Sequence, residues 1–453
     1  MVFYRLTVGY QSTSSWSNKD VRAAEFGGQL RVESQNEGNM SPKQVARIVV
    51  TFLLIASVIW LGRNRQFYTE AVVSIFFACT LTSVSVIHFR IHPSWRDALL
   101  VFCGTFLFAV IDFQLLHFRP MFASWFSFAG LSSLATLGVR AVWAEGASRK
   151  LLALGFVPAL LLVGSEYFAS NLLEWTAAAH PKVLDLYLYS FDASLRLQFP
   201  FIVGQSFARW PSLRVTSEFF YIALAIPIAL IYVGRLLRLS EKAVPSFVAL
   251  LATGPVGVLF YNLFPALGPV HLLRQQFPWQ PIPTGDVSRL FVEPVRIVGA
   301  PNAMPSLHMA WVLLVWWYSR GLSWWERGVA FAFLVFTALA TVGTGEHYLV
   351  DLVVAFPFAV LMEAVCSFSL SWRDRRRLGA ILGGLFGTLI WLVALRYGTR
   401  FFWVSPLLPW VSCLSTIALS LALERQLHRQ VERANTEVSL QLNAPLSKPV
   451  ETN

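Results

Sequence analysis

Charged residues are scarce in this sequence. Asp, Glu, Lys and Arg make up 13% of the 453 residues, whereas hydrophobic residues make up 56%. A soluble globular domain carries about 25% charged residues, so the composition excludes that class. Apolar stretches of about twenty residues recur along the chain, each long enough to cross a hydrocarbon core. Because open strands cannot satisfy their backbone hydrogen bonds in lipid, we predict an all-α, polytopic transmembrane helical bundle.

Cysteines and acidic residues are also few. The cysteines lie inside apolar stretches without CxxC or Cys/His ligand spacing, and we interpret them as small core hydrophobes; they are Cys79, Cys103, Cys366 and Cys413. Acidic residues number 25 against 36 basic ones. The basic residues sit between the apolar spans without interleaved aromatics. This pattern favours the positive-inside bias and contact with membrane lipids, and no nucleic acid is expected as a partner.

The spans organise the chain. We predict about twelve of them, at approximately 46–62, 67–88, 97–116, 121–143, 151–173, 215–236, 244–266, 305–320, 328–345, 348–370, 378–396 and 403–423. No apolar signal-peptide segment is visible in the first 40 or so residues. The predicted domains are a cytoplasmic disordered tail (1–45), an N-terminal four-helix transmembrane module (46–145), a six-helix catalytic core (150–370), two C-terminal transmembrane helices (378–423) and a cytoplasmic polar tail (424–453).

Orientation follows from the loops. Alternate loops are rich in Lys and Arg, above all 373–377, which predicts that they and both termini are cytoplasmic. The two longest loops, 175–214 and 267–304, then lie outside. The first predicts an amphipathic helix at the interface. In the first four spans we expect Asp112 to make a hydrogen bond packed between helices. A bacterial inner membrane, with the site facing the periplasm, fits the composition, and a eukaryotic endomembrane with a lumenal site remains open.

A serine and a histidine open one apolar span. Ser306 follows Pro305, and His308 comes two residues later. Pro and Ser suit a helix start, where free backbone N–H groups and the positive end of the helix dipole attract an anion such as phosphate. A capping serine followed by an incidental interfacial histidine explains the same residues equally well.

A second cluster lies where one predicted span ends and the next begins. His347 and Asp351 stand at i and i+4, so in a helix they share a face and the carboxylate can orient the imidazole. A purely structural His–Asp pair is the alternative. Ionisable residues are costly within a membrane span, which favours a functional role.

Topology brings the two clusters to the same membrane face. From His308 the chain crosses the membrane, turns at 320–327 and returns to His347. Two histidines, a serine and an aspartate can then supply a nucleophile or base, an orienting carboxylate and a leaving-group acid for covalent transfer. The spacing matches no common metal-site pattern, so we expect no metal and no cofactor.

These motifs resemble a known family. PSLH at 305–308, followed by GEHYLVD at 345–351, resembles the type 2 phosphatidic acid phosphatase superfamily. The resemblance is closest to its inositol phosphorylceramide synthase-like (inositolphosphotransferase) branch, where PSLH replaces PSGH. FPALGP at 264–269 is similar to a proline-rich motif of that branch. The resemblance covers roughly 150–370 and implies a six-helix core.

The resemblance also implies roles for single residues. His347 would attack phosphorus and become phosphohistidine, Asp351 would orient it, and His308 would protonate the departing oxygen. Ser306 would hydrogen-bond phosphate oxygens, and Tyr348 is a further candidate for substrate or phosphate binding.

The sequence departs from the superfamily in its basic residues. Its phosphatases carry Lys-x6-Arg-Pro before PSGH and Ser-Arg six or seven residues before the second histidine. Here the latter positions are Ala340 and Thr341, and no clear Lys-x6-Arg-Pro is present. Phosphate still needs donors, and Arg296 and Arg289, in the loop before PSLH, are our candidates.

The sequence thus predicts a membrane lipid phosphotransferase that moves a phosphoryl or phospho-headgroup from a phospholipid to an alcohol acceptor such as inositol. A lipid phosphate phosphatase, acting on phosphatidic acid or an isoprenoid phosphate, is the alternative. A polytopic transporter or a non-catalytic scaffold is the alternative of another class, although no inverted repeat is recognisable.

Overall fold

The chain folds almost entirely into helices. The computed structural model describes residues 41–63, 74–116, 122–239 and 243–443, and within these ranges it contains no strand, only an isolated bridge between Val183 and Val295. The described residues from Arg47 onward form one compact unit. Of the predicted terminal tails, residues 1–40 and 444–453 lie outside the described part. The finer predicted domain boundaries stay predictions.

The helices follow the predicted spans. They are α1 (Pro42–Arg63), α2 (Ile75–Ile91), α3 (Trp95–Ile111), α4 (Phe122–Trp143), α5 (Gly146–Ala179), α6 (Asp185–Ser194), α7 (Phe199–Arg209), α8 (Pro211–Ile222), α9 (Ala225–Leu239), α10 (Ala243–Leu263), α11 (Pro269–Leu273), α12 (Thr284–Arg289), α13 (Leu307–Tyr318), α14 (Trp324–Gly343), α15 (Leu349–Val365), α16 (Arg375–Gly398) and α17 (Leu407–Asn443). Every predicted span overlaps one of them, and the predicted fold class is confirmed.

Length and apolar composition identify the membrane-crossing candidates. Within the described ranges seven helices are long and apolar enough to cross a membrane: α3, α4, α5, α10, α14, α16 and α17. The pair α8 and α9, bent by 54°, makes an eighth if it is one span, and α2 and α13 are shorter apolar helices. The protein is therefore an integral membrane protein, and the prediction of about twelve crossings stays a prediction.

Helix α15 is the centre of the core. It packs against α10, α13, α16 and α17, and Val354, Ala355 and Phe358 on it are fully buried. Its aliphatic and aromatic residues on all sides suit a helix enclosed by other helices. Both ends of α15 are held by polar groups, and its beginning carries His347 and Asp351 of the second cluster.

A buried arginine caps the other end of α15. Arg377 is 1% exposed and donates hydrogen bonds to the carbonyl oxygens of Ala364 (3.0 Å), Val365 (2.7 Å) and Leu370 (2.5 Å). The last carbonyls of a helix have no partner within the helix, and a cation there also complements the helix dipole. Arg377 therefore fixes the end of the central helix to the start of α16.

Two polar features correct the sequence-based expectations. The segment 182–192 does form a helix, α6, but its Leu188 and Phe191 are fully buried and Asp185 and Asp192 are at most 3% exposed, so it is a core element and not an interfacial helix. The reason is that its carboxylates bind backbone N–H groups of the core. Asp112 makes no hydrogen bond to any described residue, whereas a hydrogen bond packed between helices was expected.

Asp112 lies where α3 passes into a π-helical turn, Asp112–Leu116. Both of its carboxylate oxygens are buried without a hydrogen-bond partner among the described residues. A change from α to π pitch turns a side chain away from the face that α-helical spacing predicts, and sequence spacing does not reveal such a change.

The polar segment from 424 begins as a helix, since α17 continues to Asn443. Glu424 is fully buried there and pairs with Arg320 at the end of α13. The first part of the predicted polar tail is thus attached to the helical core.

We expect Arg377→Met to destabilise the protein. The change leaves two main-chain carbonyl groups at the end of α15 and one in the following loop without their donor. An unpaired buried polar group costs about 1–3 kcal/mol. The measurement is thermal unfolding in detergent, where we expect a fall of several degrees in apparent melting temperature. Arg376→Met is the matched control, because Arg376 is an exposed neighbour on the same helix turn. Indistinguishable melting of the two variants would contradict the capping role.

Candidate functional site

The proline-rich segment 264–269 connects the parts of the site. The carbonyl oxygen of Pro265 accepts a hydrogen bond from the Leu184 N–H (2.7 Å), and that of Ala266 accepts one from the Ala303 N–H (3.0 Å). The segment therefore joins the start of α6 to the chain just before PSLH. Proline restricts the backbone, so such a connection is rigid although it is irregular.

Asp185 fastens the proline-rich segment to the second cluster. Its carboxylate accepts hydrogen bonds from the Leu267 N–H (3.1 Å), the Gly268 N–H (2.8 Å) and the Tyr348 hydroxyl (3.1 Å). Burial raises the pKa of Asp185 to about 6, and the two backbone hydrogen bonds oppose that rise. This one carboxylate thus ties 264–269 to the residue beside His347.

Gly268 allows the two segments to approach closely. Its φ is +126°, and a Cβ atom there would clash with the carbonyl oxygen of Glu346. Only glycine fits both the conformation and the contact. Beside it the Val270 N–H donates to the carbonyl oxygen of Gly345 (3.0 Å). The loop that carries His347 therefore rests on the proline-rich segment.

His347 is held in one orientation. Its Nδ1 lies 3.0 Å from the carbonyl oxygen of Ala303 and 3.4 Å from Oδ2 of Asp351, and its Nε2 lies 3.4 Å from Oγ of Ser306. A carbonyl oxygen only accepts, so Nδ1 carries the proton. In the neutral ring the lone pair is then on Nε2, which faces Ser306. Nε2 is the nitrogen that can act as a nucleophile.

Ser306 begins α13. Its hydroxyl caps the helix by accepting from the Met309 N–H (3.4 Å), and its own N–H donates to the carbonyl oxygen of Asp351 (3.2 Å). The residue is fully buried. The first turn of α13, with the positive end of its dipole, is thus fixed opposite Nε2 of His347, and this position suits an anion.

His308 lies on the first turn of α13. Its ring stacks on Tyr221 of α8, with 3.8 Å between centroids and 18° between planes, and meets the edge of Trp311. It is close enough to His347 for the two imidazoles to interact electrostatically. The structure therefore brings together Ser306, His308 and His347, with Asp351 behind His347.

Two carboxylates hold the start of α15. Oδ2 of Asp351 accepts from the Tyr348 N–H (2.8 Å), while Asp192 of α6 accepts from the N–H groups of Leu349 (2.7 Å) and Val350 (3.2 Å). Burial raises the pKa of Asp192 to about 8, against the two backbone hydrogen bonds. Carboxylates at a helix N-terminus satisfy free N–H groups and complement the dipole. They fix the turn that follows His347.

Three predicted binding residues are placed elsewhere. Tyr348 is fully buried and its hydroxyl donates to Asp185, so it supports the loop and does not face a substrate. Arg289 and Arg296 are exposed, and in the described part of the chain no hydrogen bond or ion pair joins either to Ser306 or His347. A long loop with several prolines can direct its arginines to solvent. Thr341, at a position where phosphatases have a basic motif, instead accepts from the His347 N–H through its carbonyl oxygen (3.1 Å).

Sequence reasoning missed Asp185, Asp192 and Tyr221. Asp185 and Asp192 stand seven residues apart in a stretch that is otherwise mainly apolar and aromatic, and that spacing was the available signal, because it places two carboxylates on one helix face. Tyr221 lies in an aromatic stretch of α8 and carries no comparable signal.

The arrangement suits covalent phosphoryl transfer. It offers a nucleophilic nitrogen, a second imidazole, a hydroxyl and a helix N-terminus in one buried group. Among the described residues no group of three or more His, Cys, Asp or Glu side chains is arranged to hold a metal ion.

Comparison with known proteins supports this interpretation. Residues 186–365 match the family model of the PAP2 superfamily, a segment that runs from α6 to the end of α15 and includes Ser306, His308 and His347. No curated protein and no solved structure matches the chain. The match does not distinguish the branches of the superfamily, nor a phosphatase from a phosphotransferase. Residues 186–365 are thus similar to the PAP2 superfamily, and this similarity supports a phosphatase-type enzyme acting on phosphate esters.

Proposed function

We propose that the protein is a lipid phosphotransferase of the inositol phosphorylceramide synthase-like type. It moves a phosphoryl or phospho-headgroup from a phospholipid to an alcohol through phosphohistidine at His347. The observation that carries the proposal is the fixed tautomer of His347: the carbonyl oxygen of Ala303 holds the proton on Nδ1, so that Nε2 faces the N-terminus of α13.

The reaction has two steps. Nε2 of His347 attacks phosphorus, the bond from phosphorus to the lipid oxygen breaks, and His308 gives that oxygen a proton. The acceptor hydroxyl then attacks the phosphohistidine, the phosphorus–nitrogen bond breaks, and His308 takes the proton of the hydroxyl. Asp351 stabilises the positive ring of His347, and Ser306 with the first turn of α13 stabilises the phosphate oxygens.

Two features favour transfer over hydrolysis. The phosphatase-type basic residues are replaced by Ala340 and Thr341, and Arg289 and Arg296 are exposed, so a phosphodiester with one negative charge suits the site better than a monoester with two. His347 is 2% exposed and Ser306 is fully buried, which restricts water. If water reaches the adduct, the same residues act as a lipid phosphatase.

The proposed membrane is a bacterial inner membrane. The basic loops face the cytoplasm together with both termini, and the site opens on the periplasmic face. The proposed partners are a phospholipid or lipid phosphate substrate and an alcohol acceptor.

We expect His347→Ala to abolish activity. Loss of a nucleophile lowers the rate by roughly a thousandfold or more. The measurement uses purified protein in lipid with phospholipids labelled at phosphorus, and it follows both the acid-labile phosphoenzyme and the labelled product, with and without inositol. His180→Ala is the control, since His180 hydrogen-bonds Asn262 and lies outside the site.

A labelled alcohol product supports transfer, and labelled inorganic phosphate or headgroup phosphate supports hydrolysis. Equal activity in His347→Ala and wild type would remove His347 as the nucleophile. No phosphoenzyme and no product across the phospholipid panel would overturn the proposal in favour of a transporter or scaffold.

We expect Asp192→Ala to slow formation of the phosphoenzyme. Two buried N–H groups lose their acceptor at the turn after His347, and a misplacement of about 1 Å can cost on the order of a hundredfold in rate. The effect should be on kcat, with little change in KM. Asp192→Asn keeps one carbonyl acceptor and should recover part of the rate. An Ala variant with the wild-type kcat would show that Asp192 does not position His347.

A further inference from the structure

The ring of His308 is held by packing against other rings. In the part of the chain that the structure describes, neither nitrogen of this ring hydrogen-bonds another residue. His347, by contrast, has polar contacts at both ring nitrogens. A side chain that gives and takes a proton needs a fixed direction and a nitrogen that is free to meet the reacting oxygen. The neighbouring aromatic rings therefore supply the orientation of His308.

Tyr221 of α8 covers one face of the His308 ring. The two rings are nearly parallel, with 3.8 Å between their centroids and 18° between their planes. Face-to-face stacking is not the preferred arrangement of two neutral aromatic rings. A positive charge over the face of a tyrosine, however, is attracted by the π electrons of the ring. The stack therefore favours the imidazolium form of His308, which is the form that can donate a proton.

Two further rings limit the movement of this stack. Trp311 lies edge-on to His308, with 5.8 Å between centroids, and its Nε1 donates a hydrogen bond to the carbonyl oxygen of Leu250 (2.8 Å) in α10. Phe76 of α2 lies edge-on to Tyr221, with 6.3 Å between centroids. Helices α2, α8 and α10 thus all contribute to the placement of the His308 ring. Of these, α2 lies outside the segment that matches the family model.

The hydroxyl of Tyr221 takes no part in these contacts. Within the described ranges no hydrogen bond joins it to another residue. A phenylalanine at this position offers His308 the same ring face, whereas an aliphatic side chain offers neither a flat surface nor π electrons. Substitutions at Tyr221 can therefore separate a role of the ring from a role of the hydroxyl.

We propose that Tyr221 is a positioning residue for His308, and that its ring holds the imidazolium in place to protonate the departing lipid oxygen. This inference rests on the proposed function. In the first step the bond from phosphorus to that oxygen breaks, the proton moves from His308 to the oxygen, and the positive charge over the Tyr221 ring disappears. In the second step His308 takes the proton of the acceptor hydroxyl, and the charge returns.

The test varies how much the leaving group needs that proton. The full-length protein in lipid vesicles receives either phospholipids labelled at phosphorus or a long-chain alkyl p-nitrophenyl phosphate, and the rate of phosphoenzyme formation is measured with each. A lipid alkoxide needs a proton in order to leave, whereas p-nitrophenolate leaves without one.

We expect the non-aromatic variants Tyr221→Leu and Tyr221→Met to form the phosphoenzyme from phospholipid about tenfold or more slowly, because general acid catalysis is impaired. The KM for the phospholipid should not change, and the p-nitrophenyl substrate should react at the wild-type rate. Tyr221→Phe, which keeps the ring, should retain the wild-type rate with both substrates.

Phe219→Leu is the matched control, because Phe219 is an aromatic residue of the same helix that is 57% exposed, and both rates should stay unchanged. Equal slowing of both substrates in the Leu and Met variants of Tyr221, or no slowing of either, overturns the proposal. A slow Tyr221→Phe variant also overturns it, because the effect then belongs to the hydroxyl. Absence of a His347-dependent phosphoenzyme in wild type with either substrate is a different result, since it overturns the proposed function itself.

Discussion

One buried carboxylate, Asp185, holds the site together. A carboxylate in the interior is tolerated only when donors surround it, and its donors here come from the proline-rich segment and from Tyr348. Each of these segments in turn carries a part of the site. The proline-rich segment binds the Ala303 N–H, and the carbonyl oxygen of Ala303 fixes the proton of His347. The tautomer of the proposed nucleophile, His347, thus depends on Asp185 of α6, which is far away in sequence.

The positions of the helices could be predicted from sequence because the length of each apolar stretch alone indicates a helix. A chain that crosses the membrane and returns brings its two ends to one face. This topology predicts that Ser306 and His347 meet, and the structure places Oγ of Ser306 3.4 Å from Nε2 of His347. Side-chain direction does not follow from crossing alone. Tyr348 and Arg296 are close to the two motifs in sequence. The hydroxyl of Tyr348 is nevertheless buried on Asp185, and the side chain of Arg296 is exposed.

Asp192 shows why the remaining part of the site could not be predicted. Its partners are the backbone N–H groups of Leu349 and Val350, which every residue except proline possesses, so the partners leave no mark in the sequence. Asp112 is a different case, because it lies at a π-helical turn that α-helical spacing does not predict. Sequence patterns therefore indicate the side chains of the proposed reaction, and they miss carboxylates such as Asp192 whose partners are backbone groups.

The charges around His347 bear on the kind of phosphate that we propose as substrate. Asp185, Asp192 and Asp351 lie beneath the loop, and each accepts backbone N–H groups. Their oxygens accept from helix ends and backbone, while Nε2 of His347 faces Ser306 at the first turn of α13. An anion bound there meets partial charges and neutral donors in place of arginines. Such a site would stabilise one negative charge better than two, and this difference is the physical basis on which we propose a phosphodiester substrate.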